Sequence, residues 1–264
     1  MGLLSTAKKV ATGLLDMDYA SRMARAKEQG FDVDTPMYHG TGNLDKLTAF
    51  DRSLTGQGAD QFGAGFYTTS DNLDASGYAM DGYRGQGKFK STSQGVAPLY
   101  SKPSNLLEVD GLKSNNLGDV LTLDYDQTRR MLSESPALRR GIDDEDMNPL
   151  GDYYDSFWES GPEEWMVDDL AEQYVGRNPE ELSDLFDDPD QFLKSLSDVS
   201  GYDGIKVNYK DRIHEVHWKP ENLRSVNAAF DPAKTGSSNL IASNPVATAG
   251  AGILGLGAAA QSND

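Results

Sequence analysis

Residues 37 to 79, MYHGTGNLDKLTAFDRSLTGQGADQFGAGFYTTSDNLDASGYA, constrain the fold more than any other stretch of this chain. Two short strand candidates, Met37-Tyr38 and Gly65 to Thr69, each set an aromatic or imidazole side chain beside a glycine. The loop between them carries Gly56, Gly58, Gly63 and Gly65, which lets backbone come close to a ligand. Asp71 to Tyr78 has the polarity of a helix and brings a third aromatic, Tyr78, eleven residues after Tyr67. Polar groups at strand ends, glycine for close approach and aromatic faces for stacking suit a flat heterocycle with a polar edge.

The chain has 264 residues, enough for one large domain or one domain with tails. It has no cysteine, which excludes disulfides, thiolate zinc sites and cysteine nucleophiles. The net charge is −18, and residues 141 to 198 hold nineteen Asp and Glu against Arg177 and Lys194, a local net of −17. A sequence-independent nucleic-acid binder needs a basic surface, so this balance argues against one. The acidic block reads as a solvated helical insert; the alternative is an acidic face that recruits a basic partner or keeps a site closed.

Leu3, Leu4, Ala7, Val10, Ala11, Leu14, Leu15, Tyr19, Met23 and Ala26 form a helical stripe over Met1 to Gln29, weakened at Gly13. The short apolar run after Lys8-Lys9 lacks the features of a signal peptide. Gly30 stops the helix, and Thr35-Pro36 forces an extended entry into the first strand. Asp81 to Gln94 reads as a surface loop, Pro98 to Val109 offers one strand, and Thr122 to Gly141 is helical. Three further helices are expected in the acidic block, with Trp158 and Trp165 as core anchors and Pro162, Pro179 and Pro189 as dividers. Ile205 to Tyr209 and Asp211 to Trp218 pair as a hairpin across Tyr209 to Arg212, followed by a last strand over Leu223 to Ala229. Pro245 to Ala260 is uncharged and sixteen residues long, short of the ~20 needed to span a bilayer. A disordered or weakly membrane-seeking tail is the expectation, with insertion as the alternative.

The three histidines, His39, His214 and His217, give no metal-site pattern. His214-Glu215-Val216-His217 lacks the spacing of a helical zinc-protease motif, and on a strand residues three apart face opposite ways. No nucleophile elbow, Walker loop or dinucleotide-binding glycine fingerprint occurs. What remains is His39-Gly40-Thr41, Gly65-Phe66-Tyr67, Tyr78 and Glu215. Singly, Tyr67 and Tyr78 read equally as core aromatics and His39 as a satisfied core imidazole. Jointly, with Gly40, they suit a flat heterocycle with a polar edge.

Four features carry a resemblance: Tyr38-His39-Gly40-Thr41, the Phe62 to Tyr67 block, Ala75-x-x-Tyr78-Ala79, and Tyr202-Asp203-Gly204-Ile205-Lys206 leading to Pro220-Glu221-Asn222-Leu223-Arg224-Ser225. In these the chain resembles the His-Tyr-Glu branch of the ADP-ribosyltransferase superfamily, in particular the small domains of bacteriophage polyvalent and virion-associated proteins. The resemblance covers roughly residues 35 to 80 and 200 to 240. It implies an α+β fold, a split β-sandwich of two antiparallel sheets with flanking helices around an NAD cleft, and no metal.

The resemblance also implies roles. Gly40 backbone would hold the nicotinamide amide, His39 would donate to the adenosine-side ribose, and Thr41 would add a hydroxyl near the amide. Tyr67 and Tyr78 would sandwich the nicotinamide ring, a contact worth about 0.5–1.5 kcal/mol beyond its area. Glu215 would accept from the nicotinamide ribose 2′-OH and stabilise an oxocarbenium-like transition state. Its spacing to the Pro-Glu-Asn turn is offset by one residue, which on a strand turns a side chain to the other face. Either a bulge returns Glu215 to the cleft or His214 occupies that place; Glu215 is the expectation.

The organisation expected is a helical extension over 1–34, the transferase-like domain over 35–240 with its acidic insert at about 120–198, and an apolar tail over 241–264. The activity expected is mono-ADP-ribosylation of a protein, by a phage-encoded chain located in the virion or the bacterial host cytoplasm. Ile213 stands where arginine-specific relatives carry a second glutamate, which speaks against arginine as acceptor. The alternative is an inactive NAD-binding or structural virion module, in contact with other virion proteins, whose tail acts on membranes.

Overall fold

A computed structural model describes residues 15–50, 55, 61–81, 93–114, 116–136, 138 and 164–241. The expectations for the first fourteen residues, Gly56 and Gly58, the loop after Asp81, Trp158, Pro162 and the 245–260 tail lie outside them. The chain is α+β, and the seven strands of the described residues form one hydrogen-bonded sheet. These are β1 Asp32–Thr41, β2 Phe66–Thr69, β3 Gly95–Ser101, β4 Leu106–Asp110, β5 Gly204–Asn208, β6 Ile213–His217 and β7 Leu223–Ser225, in the order β4-β5-β6-β2-β1-β3-β7. All neighbours are antiparallel except β4 and β5, which run parallel, a departure from the all-antiparallel expectation.

The first helix among the described residues, α1 (Tyr19–Glu28), is capped by Asp18, which accepts from the Ser21 amide. Met23 and Ala26 bury against Phe31, Tyr100 and Phe230. Arg22, Arg25 and Gln29 donate to the carbonyls of Val226, Ala228, Ala229 and Phe230, which fastens α1 to the chain leaving β7. The boundary expected after residue 34 falls inside β1. Pro36 cannot donate to a ladder, and the β1–β3 register shifts between Asp32 and Met37, the stretch that contains it.

One strand expected over Pro98 to Val109 is two, β3 and β4, separated by the turn at Pro103 to Asn105. The last strand is three residues long, because the buried Arg224 binds the carbonyls of Lys234 and Thr235 and the chain folds back over it. The hairpin across Tyr209 to Arg212 forms as expected, closed by the Tyr209 amide on the Arg212 carbonyl.

The helices are α2 Asn72–Asp81, α3 Tyr125–Glu134, α4 Glu164–Tyr174 and α5 Pro189–Ser200, with a 3-10 turn over Pro179–Leu185. Asp124 and Gln127 close a capping box on α3, while Asp188 and Pro189 start α5 and Gly201 ends it at φ 79°. Met131, Leu132, Met166, Leu170, Phe192 and Leu196 share one core with Ile205, Val207, Val216 and Trp218 of the β5–β6 region. None of the Asp and Glu side chains from Asp168 to Asp198 is buried. The acidic charge therefore coats a helical layer that packs on the sheet. Trp165, expected as a core anchor, is 48% exposed, since Met166, Val167, Leu170 and Ala171 occupy the inward side of α4.

Candidate active site

The weakest junction in the sheet lies between the two strands that carry the first motifs. Strand β1 pairs with β3 at six positions but with β2 only at Tyr38–Thr69. Beyond that pair, a side chain takes over from the ladder: His39 Nδ1 lies 2.8 Å from the Tyr67 carbonyl. A carbonyl only accepts, so Nδ1 carries the hydrogen. Burial lowers the pKa of this imidazole, a shift the Tyr67 bond opposes without reversing. The ring is therefore neutral at pH 7 and Nε2 is an acceptor, without a hydrogen-bond partner among the described residues. The resemblance implies a donor here, whereas the free ring nitrogen in this arrangement is an acceptor. Phe50 packs edge-on against the imidazole at 4.9 Å and meets Phe66 at the same centroid distance.

Directly paired residues of an antiparallel ladder share a face. Stepping one residue from Tyr38–Thr69 places His39 with Thr68, and Thr68 pairs with Glu215 on β6. His39, Thr68 and Glu215 thus lie on one face, and the question of whether Glu215 or His214 turns toward His39 is resolved for Glu215. The β6 ladder is continuous with both neighbours through His214–His217, so no bulge is needed.

Glu215 is 4% exposed. Its Oε2 lies 3.0 Å from Nε2 of His217, which is fully buried two residues further along the same face. Burial pushes the Glu215 carboxyl upward, but the hydrogen bonds of His217 and Ser101 and the charge of Lys206 outweigh it, leaving the group below the ordinary glutamate value. Ser101 belongs to β3, three strands from β6. That is about 14 Å across a flat sheet at ~4.8 Å per strand, so its influence on the carboxylate requires the sheet to curl over this face. Lys206 is the cross-strand neighbour of Glu215 and pairs with Glu108 at 2.9 Å. Glu215 is thus a buried, ionised carboxylate, a state that clusters at functional sites.

The remaining expected residues lie elsewhere. Tyr67 pairs with Val216, on the opposite face, and packs against the helical core. Its hydroxyl donates to the Gly63 carbonyl at 2.7 Å and accepts from the Phe62 amide at 3.0 Å, pinning the glycine-containing loop. Gly40 is pressed against α2: a Cβ there would lie 2.0 Å from the Ala75 carbonyl oxygen and 2.8 Å from the Ala79 nitrogen. Its lack of a side chain is required by the helix whatever else it serves. Thr41 accepts from the Asn43 amide at 3.3 Å. Tyr78 is 53% exposed on α2 and meets His214 edge-on at 6.3 Å. His214 bonds Asp74 at 2.7 Å and has its pKa lowered by burial against that partner's pull. The structure therefore separates His39 and Glu215 from Tyr67, Tyr78 and His214 by the thickness of the sheet.

Sequence reasoning missed Thr68, Ser101 and His217. His217 had a signal, since it follows Glu215 by the strand period of two. Thr68 and Ser101 had none, because cross-strand register and sheet curl bring them in. The two late motifs are fastened together: Asp203 accepts from Lys219 Nζ at 2.6 Å and from Asn222 at 3.4 Å, which ties Tyr202-Asp203-Gly204 to the Pro220–Asn222 turn. An open groove of about 430 Å³ lies away from His39, at the sheet end, lined by Val109, Leu112, Asn208, Tyr209 and Lys210 among others. Among the described residues no cluster of three or more His, Asp or Glu is arranged to hold a metal, and no helix is long and apolar enough to cross a membrane.

Compared with protein-family models, with curated proteins and with solved structures, the chain finds no match in any of the three.

Proposed function

We propose that this chain is an NAD-dependent mono-ADP-ribosyltransferase, phage-encoded and directed at a protein of the bacterial host. The observation that carries the proposal is the break between β1 and β2, bridged by the His39 imidazole, with an ionised Glu215 two strands from His39 on the same face. On this reading the strands work as two halves, β4-β5-β6-β2 and β1-β3-β7, joined at Tyr38–Thr69, and the dinucleotide enters where they part. The Nε2 lone pair of His39 accepts from the adenosine-side ribose, and Glu215 accepts from the 2′-OH of the nicotinamide ribose. As the bond from C1′ to the nicotinamide nitrogen breaks, the ring leaves neutral and positive charge grows on the ribose, where the carboxylate stabilises it. The acceptor side chain then bonds to C1′ and loses its proton. Gly40 backbone and the Thr41 hydroxyl are assigned to the nicotinamide amide, while Tyr67 and Tyr78, across the sheet from Glu215, take no part in holding the ring.

A second reading, a module that binds NAD without turning it over or serves only in the virion, is favoured by the burial of Glu215 and its engagement by His217. Biotinylated NAD incubated with the full chain and a bacterial lysate separates the two. Label on a host protein, lost in Glu215→Gln, supports the transferase. No transfer, with NAD still raising the melting temperature, supports the binding module. Nicotinamide release without any labelled acceptor assigns a glycohydrolase. Neither transfer, release nor a thermal shift removes NAD from the account.

A further inference from the structure

We propose that His217 is a positioning residue: its Nε2–H grips one oxygen of Glu215 and holds the carboxylate in a single orientation toward the ribose hydroxyl of NAD. This rests on the transferase reading above. The two side chains lie on one face of β6, with 3.0 Å between Nε2 and Oε2, and Glu215 can only accept, so Nε2 carries the hydrogen.

The backbone beside His217 leaves no room for a neighbouring side chain. On β5 the residue across from His217 is Gly204, where a Cβ would meet the Val216 carbonyl oxygen at 2.0 Å and His217 Cα at 3.1 Å. Gly65, just before β2, is equally closed to a side chain, with Val216 Cγ1 at 2.6 Å and the His217 carbonyl oxygen at 3.2 Å.

Stability does not account for the pair. His217 Nδ1 and Thr68 Oγ1 are buried and have no hydrogen-bond partner among the described residues. Two apolar side chains would fill the same space without a desolvated charge or an unpartnered nitrogen. The groups around Glu215 are Thr68 from β2, Ser101 from β3 and Lys206 from β5. Of these, Ser101 and Lys206 act on the carboxylate from other strands, Lys206 by its charge alone, whereas His217 is set by the strand of Glu215 itself. It therefore moves with the carboxylate and fixes its rotation.

The test compares His217→Leu, which removes the donor and keeps bulk, with His217→Gln, which restores an N–H donor, both in the full chain with NAD and lysate acceptor. Expected is a fall in kcat of about 10- to 100-fold for His217→Leu, little change in KM for NAD, and recovery of most of the rate in His217→Gln. A raised KM with unchanged kcat, or equal loss in both folded variants, overturns the proposal. Should His217→Leu not fold, His217→Gln decides alone: retained transfer supports positioning and lost transfer in a folded chain refutes it. A second readout needs no catalysis. The Glu215 carboxyl, labelled with ¹³C and assigned by Glu215→Gln, is titrated by NMR; its pKa should rise in His217→Leu and return in His217→Gln, and an unmoved value overturns the coupling. If the wild-type chain neither transfers nor releases nicotinamide, the transferase reading fails, while this titration still decides whether His217 holds Glu215.

Discussion

The two faces of the β2–β6 pair are made from alternate residues of the same strands, yet they have opposite chemistry. One face gives Tyr67, Val216, Ile205 and Val207 to the core under α3, α4 and α5. The other keeps Thr68, Glu215 and His217 beneath a curled sheet, beside His39. The difference teaches how a buried charge is placed. Shifting β6 by one residue would turn Val216 out of the helical core, so apolar packing fixes the register and the carboxylate is carried to the opposite side. Glu215 and His214 are adjacent in sequence, and the core decides between them.

The largest effect expected sets these two residues against each other. Glu215→Gln should cut ADP-ribose transfer by about 10²–10³-fold, whereas His214→Gln, on the opposite face, should leave transfer within about threefold; initial rates with labelled NAD check both. A reversed result would move the catalytic face to the Tyr78 side. Next comes Gly40→Ala, whose methyl has to displace the α2 backbone at Ala75 and Ala79. It should cost about 3 kcal/mol in urea unfolding, and a neutral result would show that α2 sits away from β1. Tyr67→Phe removes the hydroxyl bonds to Phe62 and Gly63 and should cost about 2 kcal/mol, measured the same way.

The smallest effect is in pH. His39 and His214 have folded values below the ordinary 6.5, mainly through burial. The unfolded chain therefore takes up protons that the folded chain refuses. Stability is full above about pH 6.5 and falls as the pH drops toward the folded values. Glu215, depressed in the fold, adds a loss only at lower pH, as it falls through the folded carboxyl value. Urea midpoints between pH 7.5 and 5 should decline, less so in His214→Gln; a flat profile would refute the neutral buried rings.

Much of the local order is legible in the residues. Asp124 with Gln127, Asp188 with Pro189, and Gly201 mark helix ends by the backbone groups they satisfy. The β5–β6 hairpin follows from its alternation and turn. The eleven-residue step from Tyr67 to Tyr78 spans a strand and a helix, as expected. Trp165 misled because aromaticity suggests burial, while the four smaller side chains after it in α4 already fill that side. The β3 strand was hidden because Pro98 and the glycine-rich residues before it weaken the apolar alternation.

Composition and pattern alone determined an α+β chain with an acid-coated helical layer, a glycine-dependent first strand and a titratable late strand, since each depends on neighbours along the chain. Tertiary structure alone decided that His39 faces Glu215's side of the sheet, that Tyr67 does not, and that His217 holds the carboxylate. Those outcomes depend on cross-strand register and sheet curl, which are set by the joint packing of residues up to two hundred positions apart.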